Sequence, residues 1–185
     1  MEKGNCHFVF LAAQGYPKNG ERAYISDEQV QWAYTQVYRL AQNYPNDPIF
    51  VFVHEPFYNT VGGSIKQYMD NDSTLRWYLN KFPTVTVFTS HSHDDINSSN
   101  WVYQEQKASA GSGIGMTLFN TASVGDVWKN NQDYGSQTDS QGLHVDVYDD
   151  SIVVRARDFA NKRWIKEYKI DLNAKRTSLA NSNIG

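Results

Sequence analysis

Phe50-Val51-Phe52-Val53-His54-Glu55-Pro56 and Phe88-Thr89-Ser90-His91-Ser92-His93 decide how this chain is built. Each begins as an apolar or β-branched run, over residues 49–53 and 84–89, and each delivers histidine at its carboxyl end. A run without polar alternation suits a strand buried on both faces, as in a parallel sheet. Residues 8–13 form an earlier run of the same kind. Between the first two runs, Ser26-Asp27-Glu28-Gln29 is a capping box with acidic groups where a helix dipole favours them. Val30, Ala33, Tyr34, Val37, Leu40 and Ala41 then recur at helical spacing and predict a helix over residues 26–43. Asp72-Ser73 caps a shorter helix to about residue 81, which Pro83 closes. Strand, helix, strand, helix, strand predicts right-handed crossovers and a parallel sheet.

After Asp94 the pattern changes. Residues 101–104, 116–122, 143–148, 152–157 and 164–170 read as strands with no helix between them. Leu143, Val145 and Val147 alternate, Asp149-Asp150 turns, and Ile152, Val154 and Ala156 alternate again, which is a hairpin. The expected fold class is α/β: a parallel β-α-β-α-β unit followed by antiparallel strands, in one domain over residues 1–172. Residues 14–20 read as a turn, 108–115 as a Gly-rich connection, 129–141 as a mobile polar loop, and 173–185 as a linker or disordered tail.

The 185 residues carry 17 Lys+Arg against 20 Asp+Glu, a formal charge of -3, and 14% aromatics. Without a basic excess, binding to nucleic acid through phosphate neutralisation is not expected. No apolar run approaches the roughly 20 residues of a membrane span, so a soluble chain is expected. Residues 8–13 after Met1-Glu2-Lys3 are too short an apolar core for a signal peptide, and the compartment is left open. Cys6 is the single cysteine, which excludes an intrachain disulfide and a Cys-rich zinc site.

Of five histidines, His54, His91 and His93 fall beyond the carboxyl ends of parallel strands, where open α/β sheets collect ligands. His91-x-His93 on an extended segment would place two imidazoles on one side. Three convergent imidazoles make a site for a divalent transition metal. His144 alternates with Leu143 and Val145 and is expected to face solvent. Asp94 and Asp95 could orient a ligand histidine or simply be solvated.

These two strand-end motifs resemble the last two metal-binding motifs of the calcineurin-like metallophosphoesterases. The resemblance implies a four-layered αββα fold of which this chain is the C-terminal half, and hydrolysis of a phosphate mono- or diester in the intact protein. It implies that His54 and His91 ligate one metal and His93 another, with manganese, zinc or iron as the ions. Ser90 stands where that family has glycine. The family's earlier Asp-x-His is absent, and Gly125-Asp126 follows the His-x-His instead of preceding it. Gly4-Asn5-Cys6-His7 is not a Gly-Asn-His motif, because Cys6 intervenes and no acid follows. Gly111-Ser112-Gly113-Ile114-Gly115 lacks the spacing and following helix of a phosphate loop. Two divalent ions need anionic bridging ligands, and three neutral imidazoles supply none. The isolated chain is therefore expected to bind at most one metal weakly and to be nearly inactive, with Met1 marking a truncated start.

A rival from another class is a β-rich binding module that stacks sugars on Trp101, Trp128 or Trp164. Strands apolar on both faces need cover on both sides, and one helix covers only one; a homo-oligomer formed through the open sheet face is the expected consequence.

Overall fold

Every residue of the strand Val85–Thr89 (β4) is buried, as its unbroken apolar and β-branched sequence requires. The computed structural model describes residues 1–15, 22–97, 99–106, 114–129 and 139–180. Around β4 stand Glu2–Lys3 (β1), Cys6–Phe10 (β2), Ile49–Phe52 (β3), Val102–Gln106 (β5) and Ile114–Asn120 (β6), in the order β1-β2-β3-β4-β6-β5. Gln141–Val147 (β7), Ser151–Asp158 (β8) and Arg163–Asp171 (β9) make a separate antiparallel sheet. The structure is thus a mixed α/β fold with one largely parallel and one antiparallel sheet.

One strand is placed differently from the sequence reading. β6 was expected among the antiparallel strands, but it pairs parallel to β4, with Thr86 opposite Thr117 and Phe88 opposite Phe119. Six of its seven residues are buried, so it belongs in the sheet interior, and the edge strand β5 carries the crossover that a helix would otherwise supply. Residues 108–113 and 130–138 of the expected loops, and 16–20 of the expected turn, lie outside the described residues, while Ile114 and Gly115 belong to β6 and Gln141 to β7.

The helices Asp27–Asn43 (α1) and Asp72–Leu79 (α2) cover one face of the large sheet. Ser26 caps α1 by accepting from the Gln29 amide at 3.3 Å, and Val30, Ala33, Val37, Leu40 and Ala41 are the buried stripe. Asp72 does not cap α2: its carboxylate accepts from the Tyr58 amide, and Asn71, at φ 59°, takes the cap position. The opposite face holds Phe50, Phe88 and Phe119 against Ile152, Val154 and Ala156 of β8. Among the described residues this gives three layers, helices, sheet and sheet, where the resemblance implied four. Three strands cannot cover six, and Phe10 on β2 is 57% exposed although its run is apolar on both faces. No described helix is long and apolar enough to cross a membrane.

The expected tail is also corrected. Leu172–Ala180 (α3) is a helix that follows β9 directly, while residues 181–185 lie outside the description. It docks because Leu172 is buried and the Lys175 amine, 3% exposed, donates to Gly115 O, Gln104 Oε1 and Thr117 Oγ1 at 2.5, 2.9 and 2.9 Å. Thr117 shares its sheet face with Phe119, so α3 lies beside the second sheet on that face.

Burial pulls the Lys175 amine down to about 7. Between that value and the ordinary lysine range the unfolded chain binds the extra proton, so stability rises with pH there. From pH 7 to 9 urea unfolding is expected to gain about 2 kcal/mol from this group. Lys175→Met should abolish that increment; the same gain in the variant would contradict the assignment.

Candidate metal centre

β3 and β4 run in register from Ile49 opposite Val85 to Phe52 opposite Phe88, and the parallel pairing continues past both strands. The Val53 amide donates to Phe88 O at 3.2 Å, and the Ser90 amide donates to His54 O at 2.8 Å. This last bond ties the two strand ends together one residue before His91. The His54 and His91 rings consequently meet edge to face, with centroids 5.1 Å apart.

Glu55 completes the cluster. One ligand atom each from His54, Glu55 and His91 lies within 4.8 Å of the others. Glu55 is 1% exposed, and its Oε2 has no hydrogen-bond partner. A buried carboxylate oxygen without a partner is costly, and a bound cation is one way in which such a group is satisfied. Two imidazoles and a carboxylate are a familiar donor set for zinc, with the fourth position open in catalytic sites. The residues present therefore fit a divalent ion.

Glu55 is the candidate ligand that sequence reasoning passed over. Its only signal is its place directly after a strand-end histidine; that it turns inward is a tertiary fact.

The His91-Ser92-His93 segment is not extended, as the sequence reading assumed. His91 and His93 both adopt left-handed backbone, at φ 56° and 52°, about a buried Ser92. His93 does not join the cluster of His54, Glu55 and His91. His93 packs on Trp128 with centroids 5.2 Å apart, and its Nδ1 lies 3.8 Å from Asp126 Oδ2. Ala122, beyond the neighbouring strand β6, is left-handed too, at φ 55°. Non-glycine residues in this region cost roughly 1–3 kcal/mol each, and such strain clusters at functional sites. Ser90, where the resembling family has glycine, has no positive φ and donates its hydroxyl to Ala122 O at 3.1 Å.

The loop after β3 is clamped onto this turn. Gly63, at φ 76°, passes so near Ser92 that a Cβ would sit 2.6 Å from the serine's own. At Gly62 a Cβ would meet Asp94 Oδ2 at 2.1 Å. Asp94 and Asp95 are buried and not solvated. Burial raises the Asp94 carboxyl against a bond from Ser99. For Asp95, burial is overcome by bonds from Gln141 and Asn97, which bring its carboxyl below the ordinary range.

Burial lowers the His91 pKa, the nearby Glu55 opposes that, and His54 and His93 add to the lowering. The net direction favours the neutral imidazole, the state in which histidine ligates a metal.

The three tryptophans of the binding-module reading are dispersed. Trp101 is buried, Trp128 is held by His93 and Asp126, and Trp164, 51% exposed, lies under Arg157 at 4.9 Å. His144 faces solvent, bonded to Asp146 at 3.0 Å.

No protein-family profile and no curated protein matches the sequence. Among solved structures the chain is similar to Vps29 of Entamoeba histolytica, a protein of the metallophosphoesterase fold. The wild-type protein, complexed with Zn2+, gives a TM-score of 0.33 at 10% identity over 90% of this chain and 99% of that one. A single mutant of the same protein gives 0.31 at 10% identity over 89% and 98%. A likeness this slight carries no argument about site or activity. The expectation of a C-terminal half alone is not supported.

In a zinc titration of the purified chain we expect one ion per chain. Glu55→Gln and His91→Ala should each weaken binding by about tenfold or more, and His93→Ala should leave it within about twofold. Two tightly bound ions, or affinity unchanged in both weakened variants, would contradict the ligand set.

Proposed function

We propose that this chain is a metal-dependent phosphoesterase unit that holds one divalent ion, manganese, zinc or iron, and acts on phosphate mono- or diesters. The observation that carries the reading is the buried Glu55 carboxylate, its Oε2 without a partner, within 4.8 Å of the imidazole nitrogens of His54 and His91 at the ends of two parallel strands. The resemblance of these strand ends to metallophosphoesterase motifs supplies the reaction class.

Charge decides for one ion over two. Two doubly charged ions about 4 Å apart repel by roughly 17 kcal/mol at an effective dielectric near 20, and one carboxylate supplies a single compensating charge. When bound, such an ion supplies Lewis acidity for water and for the phosphoryl oxygens. The chain's residues do the rest: His54 and His91 hold neutral nitrogens toward it, and Glu55 offsets its charge. The Thr121 side chain borders the hollow beside His54. In hydrolysis the water oxygen bonds to phosphorus as the ester P–O bond breaks; the ester oxygen leaves in the alcohol with one proton, and phosphate keeps the water oxygen and the other proton.

His93 stands outside this ligand set and is proposed to position the His91 turn through its packing on Trp128.

The test is hydrolysis of an aryl phosphate with zinc or manganese. We expect slow, metal-dependent turnover that His54→Ala and Glu55→Gln both reduce to background. Turnover that persists without metal, or in His54→Ala, would refute the reading.

A further inference from the structure

We propose that the trough beside the His54–His91 cluster is a subsite for a planar aromatic group, so that this site takes phosphate esters of aromatic alcohols. The inference rests on the phosphoesterase reading above and names its substrate class.

The trough follows from strand register. Phe10, Phe52, Phe88 and Phe119 stand opposite one another across four parallel strands. Their rings form a row, stacked at 5.0, 5.3 and 5.6 Å between successive centroids. The second sheet covers this row at Phe119 and Phe88 but leaves Phe52 half-buried and Phe10 exposed. His54 lies two residues past Phe52, on the same side of the strand as the uncovered ring.

Two hollows meet over the row. The smaller, about 220 Å³, is bordered by Phe10, Phe52, His54 and Thr121. The larger, about 500 Å³, opens between the two sheets and is bordered by Val124, Leu143, Val145 and Phe159. Phe52, Phe88, Ser90 and Thr121 line both, so one apolar space runs from the imidazole of His54 to the second sheet. That volume is the size of a small-molecule site, too small for a protein partner, and aromatic walls with a few hydroxyls at one end are what such sites use. A flat ring can extend the Phe52–Phe10 stack in offset geometry while its phosphate reaches the cluster.

The test compares two non-hydrolysable ligands of equal charge, (1-naphthylmethyl)phosphonate and methylphosphonate, by calorimetry on the zinc-loaded chain. In parallel, 1-naphthalenemethanol is titrated into the metal-free chain while the Val124, Leu143 and Val145 methyl resonances are followed. We expect the naphthyl ligand to bind at least tenfold more tightly than methylphosphonate, and the alcohol to shift those methyls. Phe52→Leu, and separately Val124→Asp at the exposed rim, should reduce that preference to about twofold or less with zinc affinity unchanged. Equal affinity for the two phosphonates, or a preference that survives both variants, overturns the subsite. Methyl shifts that depend on protein concentration without ligand would show a second copy in the trough and also overturn it. If zinc does not bind, the metal reading fails on its own, and the alcohol titration still decides the subsite: shifted methyls support it and unmoved methyls overturn it.

Discussion

The hydrogen bond from the Ser90 amide to His54 O, at 2.8 Å, is the constraint on which the site depends. It extends the parallel pairing of β3 and β4 past the end of both strands and so brings two histidines, far apart in sequence, into ring contact. That pairing exists because both strands are apolar on both faces and can only be satisfied inside a sheet with cover above and below. α1 and α2 provide the cover on one side and the antiparallel sheet on the other. The same register that aligns the histidines also aligns Phe52 and Phe88, two and three residues before them, with Phe10 and Phe119 on the flanking strands. Site and aromatic row are two products of one strand alignment.

Electrostatics then gives the cluster its chemical sense. A carboxylate at Glu55, 1% exposed and lacking a partner for Oε2, is unfavourable in isolation. A divalent cation satisfies all three groups at once. The backbone strain at His91 and His93 fits the same account, since left-handed turns at non-glycine residues persist only where surrounding contacts hold them, here the close packing of Gly62 and Gly63.

Much of this was legible in the sequence because apolar runs and caps are local signals. The β3 and β4 strands, the Ser26 cap of α1 and the hairpin between β7 and β8 lie where these signals put them, and β2 is a strand shifted to Cys6–Phe10 from the expected residues 8–13. What was illegible depends on distant partners. β6 reads as a strand, but its sequence does not say whether its neighbour runs parallel. Residues 173–180 look too polar to dock, and they dock through an amine whose acceptors lie on β5 and β6. His54 and His91 were visible as strand-end histidines; the inward turn of Glu55 and the divergence of His93 were not, because burial and backbone handedness decide them.

The account stands or falls on the coordination of one ion. X-ray absorption at the zinc edge of the singly loaded chain measures it directly, since imidazole rings give characteristic outer-shell scattering. We expect two imidazoles and at least one oxygen donor about the metal, with no second metal nearby. A spectrum without imidazole scattering, or with a metal–metal vector, would contradict the mononuclear site built from His54, Glu55 and His91.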